Sequence, residues 1–269
     1  MIIAEVGVNH QGSLEQARFL VEVAANAGAD VVKFQTYDAE RLDPPGPRRD
    51  MLGKMQLSPR DHEVLSRCAT VRGLEFLSTP FDVESLRFLL GLGVKRIKIA
   101  SGNLDNAPLL RAASDTGLPI LLSTGMANQS QIVAALEHID QEMWPLVTLM
   151  HCTSAYPCPD DDVNLSAMTM LWDAPGFEFG FSDHSEGIVA AIGAVAMGAS
   201  VIEKHLTLDR RAEGPDHRIS LEPDECREMV SAIRRLEVQL GDGVKRVMPS
   251  EALAVAIARE RAEWRKCVA

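Results

Sequence analysis

Short apolar runs alternate with longer amphipathic stretches along almost the whole chain. The runs are short and bounded by turn residues, which is typical of strands buried in a parallel sheet. The pattern predicts eight strands: Ile2–Gly7, Val31–Gln35, Glu75–Thr79, Arg96–Ala100, Ile120–Ser123, Leu146–Cys152, Glu178–Ser182 and Val201–His205.

A segment with helical periodicity follows each predicted strand. Ser13 and Ser58 stand where N-caps belong, and the second is followed by Pro59 at the first helical position. Glycine ends several helices just before the next strand, as in "NAGAD" and "TGLP". The predicted helices are Leu14–Ala27, Pro59–Arg72, Val83–Leu92, Ala107–Thr116, Gln129–Asp140, Ser166–Asp173, Gly187–Met197 and Pro223–Gln239.

Strict alternation of strand and helix predicts a parallel sheet, which we expect to close into a (β/α)₈ TIM barrel. An open, doubly wound sheet has the same alternation and is the alternative at this point. The Pro/Gly-rich stretch Asp43–Arg49 is predicted to be a long loop after the second strand. The barrel is expected to occupy residues 1–243, and residues 244–269 form a tail with a helix at Ser250–Lys266.

Composition limits the kinds of partner. The net charge of −11 argues against nucleic acid and against an anionic membrane surface. The apolar runs fall short of the ~18 residues that a membrane span needs, and no signal peptide is visible. Five cysteines, odd in number and free of CxxC spacing, favour reduced thiols. We therefore expect a cytoplasmic protein.

Ionisable and hydroxyl side chains cluster at the carboxyl end of every predicted strand. In a barrel these ends converge on one face, where such enzymes place their active sites. The alternative is that strand ends are turns and turns are polar. Turns favour Asp, Asn and Gly, however, whereas Lys and His recur here.

Two lysines, Lys33 and Lys98, each interrupt an otherwise apolar strand, in "VVKFQ" and "RIKIAS". A buried ammonium group is costly unless it is paired, so both require an anion. Together with the hydroxyl groups of Thr79, Ser101 and Ser123 they would suit phosphate or carboxylate. The alternative is a pair of structural salt bridges to Glu5 or Glu203.

Two histidines, His184 and His205, end the seventh and eighth strands and should be neighbours. Imidazoles with a nearby carboxylate suit Mn²⁺, Fe²⁺, Zn²⁺ or Co²⁺, and Glu5, Asp183 and Glu203 are close in the predicted fold. His151 is interpreted as a hydrogen-bonding residue and Cys152 as core. In "GPDH", Asp216 could accept hydrogen bonds from sugar hydroxyls or could form an ordinary Asx-turn.

A set of ordered motifs resembles the barrel domain of the sialic acid synthases, the nonulosonate synthase family. The similarity spans Ile2 to Gly243 and touches every strand–helix unit. The motifs are "IIAEVGVNHQGS", "GADVVKFQT", "FLSTPFD", "KIASG", "LSTGM", "HCTSAYPCP", "GFSDHS", "EKHLTLD" and "GPDH".

The resemblance implies condensation of phosphoenolpyruvate with an N-acylated hexosamine such as N-acetylmannosamine, with release of phosphate. It implies a divalent cation, Mn²⁺ or Mg²⁺, held by His184 and His205, with Glu5 near the reacting carbons. It also implies a homodimer. Residues matching the phosphoenolpyruvate site are Lys33, Thr79, Lys98, Ser101, Ser123, Tyr156 and Ser182, and those matching the sugar site are Gln35, Phe81, Tyr156 and Asp216.

The sequence departs from the family on the sugar side. A glutamate frequent after the "SG" of strand four is Asn103 here, and an asparagine frequent before the motif tyrosine is Ser154. The loop Tyr37–Ser58 is short for the family, and the helical tail stands where the family has an antifreeze-like domain. Two alternatives therefore stay open: an enzyme that condenses phosphoenolpyruvate with another aldose to a 3-deoxy-2-keto acid, and a non-catalytic subunit that binds phosphoenolpyruvate and metal.

Overall fold

Eight parallel strands follow one another around a barrel in chain order. The computed structural model describes residues 1–168 and 176–268. The hydrogen-bonded order is β3-β2-β1-β8-β7-β6-β5-β4, and β3 and β4 lie side by side without a ladder, so the barrel is nearly closed. The strands are β1 Ile2–Gly7, β2 Val31–Thr36, β3 Glu75–Pro80, β4 Ile97–Ile99, β5 Ile120–Ser123, β6 Val147–Cys152, β7 Glu178–Asp183 and β8 Val201–His205.

The neighbours of the two outermost strands in the hydrogen-bonded order decide between the two topologies that the sequence left open. β1 pairs in parallel with β2 and β8, and β3 and β4, the two ends of that order, contact each other, so the strands form a ring. The predicted TIM barrel is confirmed, and the doubly wound sheet is excluded. Each strand boundary agrees with its sequence prediction to within one residue.

Helices lie between the strands. Ser13 and Ser58 are N-caps, as their positions predict. Ser58 also forms a capping box with Asp61. Gly28, with φ of 84°, ends the first helix in the left-handed region. The helices are Leu14–Ala27, Ala39–Leu42, Pro47–Met55, Pro59–Val71, Val83–Gly91, Ala107–Ser114, Gln129–Leu136, Asp160–Val163, Val189–Ala196, Pro223–Leu240 and Ala252–Val268.

One predicted loop and one predicted helix differ from the structure, and a second predicted helix lies largely outside the described residues. The predicted loop Asp43–Arg49 is partly helical, because the helix Pro47–Met55 begins inside it with Pro47 at the first position. A short helix capped by Asp38, Ala39–Leu42, precedes the predicted loop. The helix predicted at Gln129–Asp140 ends at Leu136. The helix predicted at Ser166–Asp173 falls largely on residues 169–175, outside the described part of the chain, and Leu165–Ala167 forms a 3-10 turn.

The barrel interior is built in layers by the alternation of each strand. One layer of apolar side chains fills the lower barrel: Ile3, Val31, Leu77, Leu121, Met150 and Val201. Outward-facing side chains such as Phe34 and Ile99 pack against the surrounding helices in the main core. The next inward-facing side chain of each strand, two residues further along, therefore lies directly above this apolar layer.

Contacts divide the chain into two units, Met1–Leu236 and the segment from Glu237 onward. The first contains the barrel. In the second, a 3-10 turn at Pro249–Glu251 precedes the helix Ala252–Val268, which has no buried residue. Among the described helices, none is both long and apolar enough to span a bilayer.

Candidate active site

Two positions beyond the apolar layer, towards the carboxyl ends of the strands, the inward-facing residues are polar. Ile3 gives way to Glu5, Val31 to Lys33 and Val201 to Glu203, and all three polar residues are buried. Since each strand enters the barrel in the same direction, these side chains form one layer at the carboxyl ends. The other members of this polar layer are Thr79, Lys98, Ser123, Cys152 and Ser182.

Carboxylates pair with both lysines. Lys33 Nζ lies 2.9 Å from Glu5 Oε2 and 3.6 Å from Glu203 Oε2, and Lys98 Nζ lies 3.7 Å from Glu203 Oε1. The salt bridges considered as an alternative at the sequence level are therefore present. They account for the burial of two ammonium groups, and they leave the charges of this cluster balanced.

Hydroxyl groups complete the surroundings of the two ammonium groups. Lys33 Nζ donates to Thr79 Oγ1 at 3.0 Å, and Lys98 Nζ donates to Ser123 Oγ at 2.7 Å. Ser182 Oγ donates to Glu203 Oε1 at 3.0 Å. The polar layer thus joins residues from seven strands in one network of hydrogen bonds and ion pairs.

The two carboxyl groups respond differently to the same burial. Burial raises the pKa of Glu5 to about 7, although Lys33 opposes the shift. Burial also favours the neutral form of Glu203, but Lys33 and Lys98 together hold its pKa below the usual value. Glu5 is therefore the carboxyl group of the layer that can gain or lose a proton near neutral pH.

His184 and His205 lie side by side at the upper edge of this layer. Their ring centroids are 5.5 Å apart. His184 Nδ1 donates to the carbonyl oxygen of Thr153 at 2.8 Å, which directs the other ring nitrogen away from that loop. His205 Nδ1 is buried without a hydrogen-bond partner among the described residues, 3.7 Å from Asp216 Oδ2.

This arrangement fits a divalent cation. A histidine that donates one ring N–H to a backbone carbonyl and keeps the other nitrogen free has the usual geometry of a metal ligand. Burial and the neighbouring positive charges lower the pKa of His205 well below its usual value, so it is neutral, as a ligand must be. Within the described ranges no cluster of three or more His, Cys, Asp or Glu side chains is arranged to hold a metal. Water and substrate would have to complete the coordination.

Glycine residues leave space beside both parts of the site. A Cβ atom on Gly7 would lie 2.9 Å from Asp216 Oδ2 and 3.4 Å from His205 Cε1, and its φ of +55° also disfavours other residues. A Cβ on Gly125 would lie 2.4 Å from Ser154 Oγ and 2.8 Å from the hydroxyl oxygen of Ser101. Close approach of backbone and side chains at these two positions requires glycine.

Of the residues predicted for the sugar site, some contact the polar layer or the histidines and others have partners elsewhere. Gln35 Nε2 donates to Glu5 Oε1 at 3.5 Å, and Tyr156 packs on His184 with ring centroids 4.3 Å apart. Phe81 instead contacts Tyr37 edge to face at 5.9 Å. Asn103 receives a hydrogen bond from Asn106 within the turn after β4.

Several residues of the site were not singled out by the sequence. Gly7 and Gly125 become informative only when the atoms around them are known. Thr153 acts through its backbone carbonyl, so no side-chain pattern marks it.

His151, interpreted as a hydrogen-bonding residue, contacts the carbonyl oxygen of Val163 at 2.8 Å on the outer face of the barrel.

Comparison with known proteins connects this geometry to a family. The NeuB family model matches residues 20–245. The N,N'-diacetyllegionaminic acid synthase of Campylobacter jejuni is 41% identical over 97% of this chain and 83% of its own length. The human N-acetylneuraminate-9-phosphate synthase is 34% identical, covering 93% of this chain and 74% of that protein.

A solved structure extends the similarity to three dimensions. The N-acetylneuraminic acid synthetase of Leptospira borgpetersenii, in complex with citrate, superposes with a TM-score of 0.89 at 37% identity, covering 98% of this chain and 90% of that one. The family match and these relatives confirm the resemblance seen in the sequence motifs. The chain belongs to the NeuB family.

Proposed function

We propose that this protein condenses phosphoenolpyruvate with an N-acylated hexosamine to give a nonulosonic acid and phosphate, with Mn²⁺ or Mg²⁺ held by His184 and His205. The observation that carries the proposal is the polar layer itself. Two buried lysines, their hydroxyl partners and two imidazoles share one end of the barrel in a chain of the NeuB family.

Phosphoenolpyruvate would bind at Lys33 and Lys98. Each ammonium group already contacts a hydroxyl group, from Thr79 or Ser123, and a buried carboxylate. A multiply charged phosphate can compete for these donors because charge-assisted hydrogen bonds strengthen with the charge of the acceptor. We assign Ser101, Tyr156 and Ser182 to the same subsite.

The reaction joins C3 of phosphoenolpyruvate to the aldehyde carbon of the open-chain sugar. A divalent cation on the two histidines would act as a Lewis acid at the aldehyde oxygen. The new C–C bond leaves C2 electron-poor and moves the carbonyl electron pair onto the aldehyde oxygen, which takes up a proton to become a hydroxyl group. Water adds to C2 with loss of a proton, and the C2–O bond to phosphate then breaks as the C2 hydroxyl group loses its proton to become the keto group. Glu5, with its pKa raised to about 7, is the group we assign to proton transfer from that water. Lys33 and Lys98 would stabilise the departing phosphate.

The sugar would lie above His205. Asp216 and Gln35 are the polar residues we assign to its hydroxyl groups, and Phe81, Tyr156, Asn103 and Ser154 would shape the subsite. Gln35 lies beside Glu5 at one side of this space, and Asp216 lies beside His205 at the other. The relatives support the proposed acceptor class, because two of them are named for synthesis of N,N'-diacetyllegionaminic acid.

The test is incubation of the purified protein with phosphoenolpyruvate, Mn²⁺ and a panel of N-acylhexosamines. The panel includes N-acetylmannosamine and a hexose with two acetamido groups. We expect phosphate release that depends on one of these sugars, together with a nine-carbon keto acid identified by mass spectrometry. Phosphate release with only non-acylated aldoses would instead indicate the 3-deoxy-2-keto acid alternative. Release with none, despite binding of phosphoenolpyruvate and Mn²⁺, would indicate a non-catalytic subunit.

We further propose that the protein works in the cytoplasm as a homodimer. The five cysteines are all free thiols, which suits a reducing compartment. Light scattering coupled to size-exclusion chromatography tests the dimer directly, and a mass of one chain would contradict it.

A further inference from the structure

Beside each histidine stands a buried charged residue that the proposed chemistry does not use. Asp183 precedes His184, and Lys204 precedes His205. Their side chains are 0% and 1% exposed, and Lys204 Nζ lies 2.9 Å from Asp183 Oδ2. The two residues are also direct partners in the register of β7 and β8.

The pair lies on the opposite side of the sheet from the active site. Ser182 and Glu203, their neighbours in sequence, face into the barrel and contact each other. Since side chains alternate along a strand, Asp183 and Lys204 face the surrounding helices, as Phe181 and Ile202 do in the apolar core. Two apolar residues of similar size are often as stable as a buried ion pair, so stability alone does not account for it.

The hydrogen bonds of the pair enclose the backbone that carries His184. Asp183 Oδ1 accepts from the N–H of Ser185 at 2.8 Å and from its hydroxyl group at 2.6 Å. Lys204 Nζ donates to the carbonyl oxygen of Ser185 at 2.5 Å. The residues on both sides of His184 are thereby tied to β8, the strand that ends in His205.

The consequence is a fixed separation between the two imidazoles. Lys204 links β8 to the segment after β7, one residue before His205. The Cys158 N–H donates to the carbonyl oxygen of His184 at 2.9 Å from the other side. A cation held by only two protein ligands depends on their mutual position, because there is no third ligand to correct it.

We infer that the Asp183–Lys204 ion pair is a positioning element that presets His184 and His205 for a divalent cation, an inference that rests on the proposed function. The pair acts through the backbone of residues 183–185, to which its hydrogen bonds are made. Its loss is expected to weaken cation binding while leaving the phosphoenolpyruvate subsite in place.

The test compares cation affinity with stability in matched variants. Asp183→Asn/Lys204→Met removes both charges at nearly constant volume. Glu75→Gln/Arg96→Met is the control, because Arg96 and Glu75 form a bidentate ion pair of 2.6 and 2.9 Å at the opposite ends of the strands. Mn²⁺ dissociation constants are measured without substrate, from the electron paramagnetic resonance signal of free Mn²⁺. Thermal unfolding of the metal-free protein is recorded alongside.

We expect the Asp183/Lys204 variant to bind Mn²⁺ about 10- to 100-fold more weakly, the usual effect of removing groups that support metal ligands. The control should bind Mn²⁺ as the parent does, whatever its thermal stability. Excess Mn²⁺ should restore turnover in the first variant with an unchanged KM for phosphoenolpyruvate. An unchanged Mn²⁺ dissociation constant, or equal weakening in both variants, would overturn the inference and leave the pair a stabilising feature only.

Two further variants distinguish failure of the inference from misfolding of the double variant and from absence of the cation site. Ser185→Ala retains both charges and removes one hydroxyl contact to Asp183, so it serves if the double variant does not fold. We expect this variant to bind Mn²⁺ about 3- to 10-fold more weakly than the parent. Unchanged Mn²⁺ binding would count against the inference. His184→Ala/His205→Ala should abolish Mn²⁺ binding. If the parent binds no Mn²⁺ at these histidines, the proposed cation site itself fails, independently of the ion pair.

Discussion

At the scale of single residues, the site depends on one change of side-chain character along each strand. Lys33 and Lys98 could be identified from the sequence because a lysine in an apolar strand is conspicuous. Their partners could not be chosen, since Glu5 and Glu203 are both within reach of Lys33 and only the geometry shows that it contacts both. The salt-bridge alternative describes Lys33 and Lys98 as they stand in the structure, and the phosphate hypothesis proposes that the same two ammonium groups bind substrate.

The first prediction concerns the charge of Lys98. Lys98→Met should lower kcat/KM for phosphoenolpyruvate about 100-fold or more, because it removes a preorganised donor from the leaving phosphate. Steady-state phosphate release measures it. Lys95→Met, an exposed lysine three residues earlier, is the control and should match the parent. Equal activity of the two variants would remove Lys98 from the anion subsite.

The second prediction concerns the space at Gly7. Gly7→Ala places a methyl group 2.9 Å from Asp216 Oδ2 at a positive φ, so activity should fall at least tenfold while stability falls by about 1 kcal/mol. Gly73→Ala has a φ of +77° and open space around the new atom. It should lose similar stability, measured by urea unfolding, and keep its activity. Full activity in Gly7→Ala would show that neither substrate nor cation uses this space.

At the scale of elements, the strand ends were predictable and the loops between them were only partly so. Short apolar runs identify the strands because each strand is buried on both sides of the sheet. The segment after β2 has no comparable signal. Its helices Ala39–Leu42 and Pro47–Met55 start at an Asp cap and a proline within a stretch rich in loop-forming residues. Local composition favoured a loop there, and the packing of Leu52 and Tyr37 with Val8 stabilises helices instead.

The third prediction concerns the protonation of His10, which lies in the loop after β1. Burial, reinforced by nearby His62, lowers the pKa of His10 from 6.5 to about 4, and its Nδ1 accepts the N–H of Gly12 at 3.0 Å. In the unfolded chain the imidazole regains its ordinary pKa. The unfolded state therefore binds the proton first, and this contribution to stability is present above pH 6.5 and is lost as the pH falls towards 4.

Urea unfolding of the parent and of His10→Gln across this pH range tests that sign. The parent should lose up to about 3 kcal/mol more than the variant between pH 7 and pH 4, the free energy that corresponds to the pKa shift. The metal-free protein is used so that cation binding does not contribute. Parallel curves for the two proteins would mean that His10 is not buried in its neutral form.

At the scale of the whole molecule, the fold was almost entirely predictable and the site was predictable in outline. Eight alternating units specify the barrel, and the barrel brings residues as far apart as Glu5 and His205 together. The sequence could not show which residues act through the backbone, such as Thr153, or which glycines leave space. It also gave no reason to examine Lys204, whose role depends on a register known only from the structure.

The most direct test of the central claim is a crystal structure of the protein with phosphoenolpyruvate and Mn²⁺. We predict the phosphate group within hydrogen-bond distance of both Lys33 and Lys98, and Mn²⁺ bonded to one ring nitrogen each of His184 and His205. Phosphoenolpyruvate bound outside the polar layer, or Mn²⁺ bound without either histidine, would contradict the account.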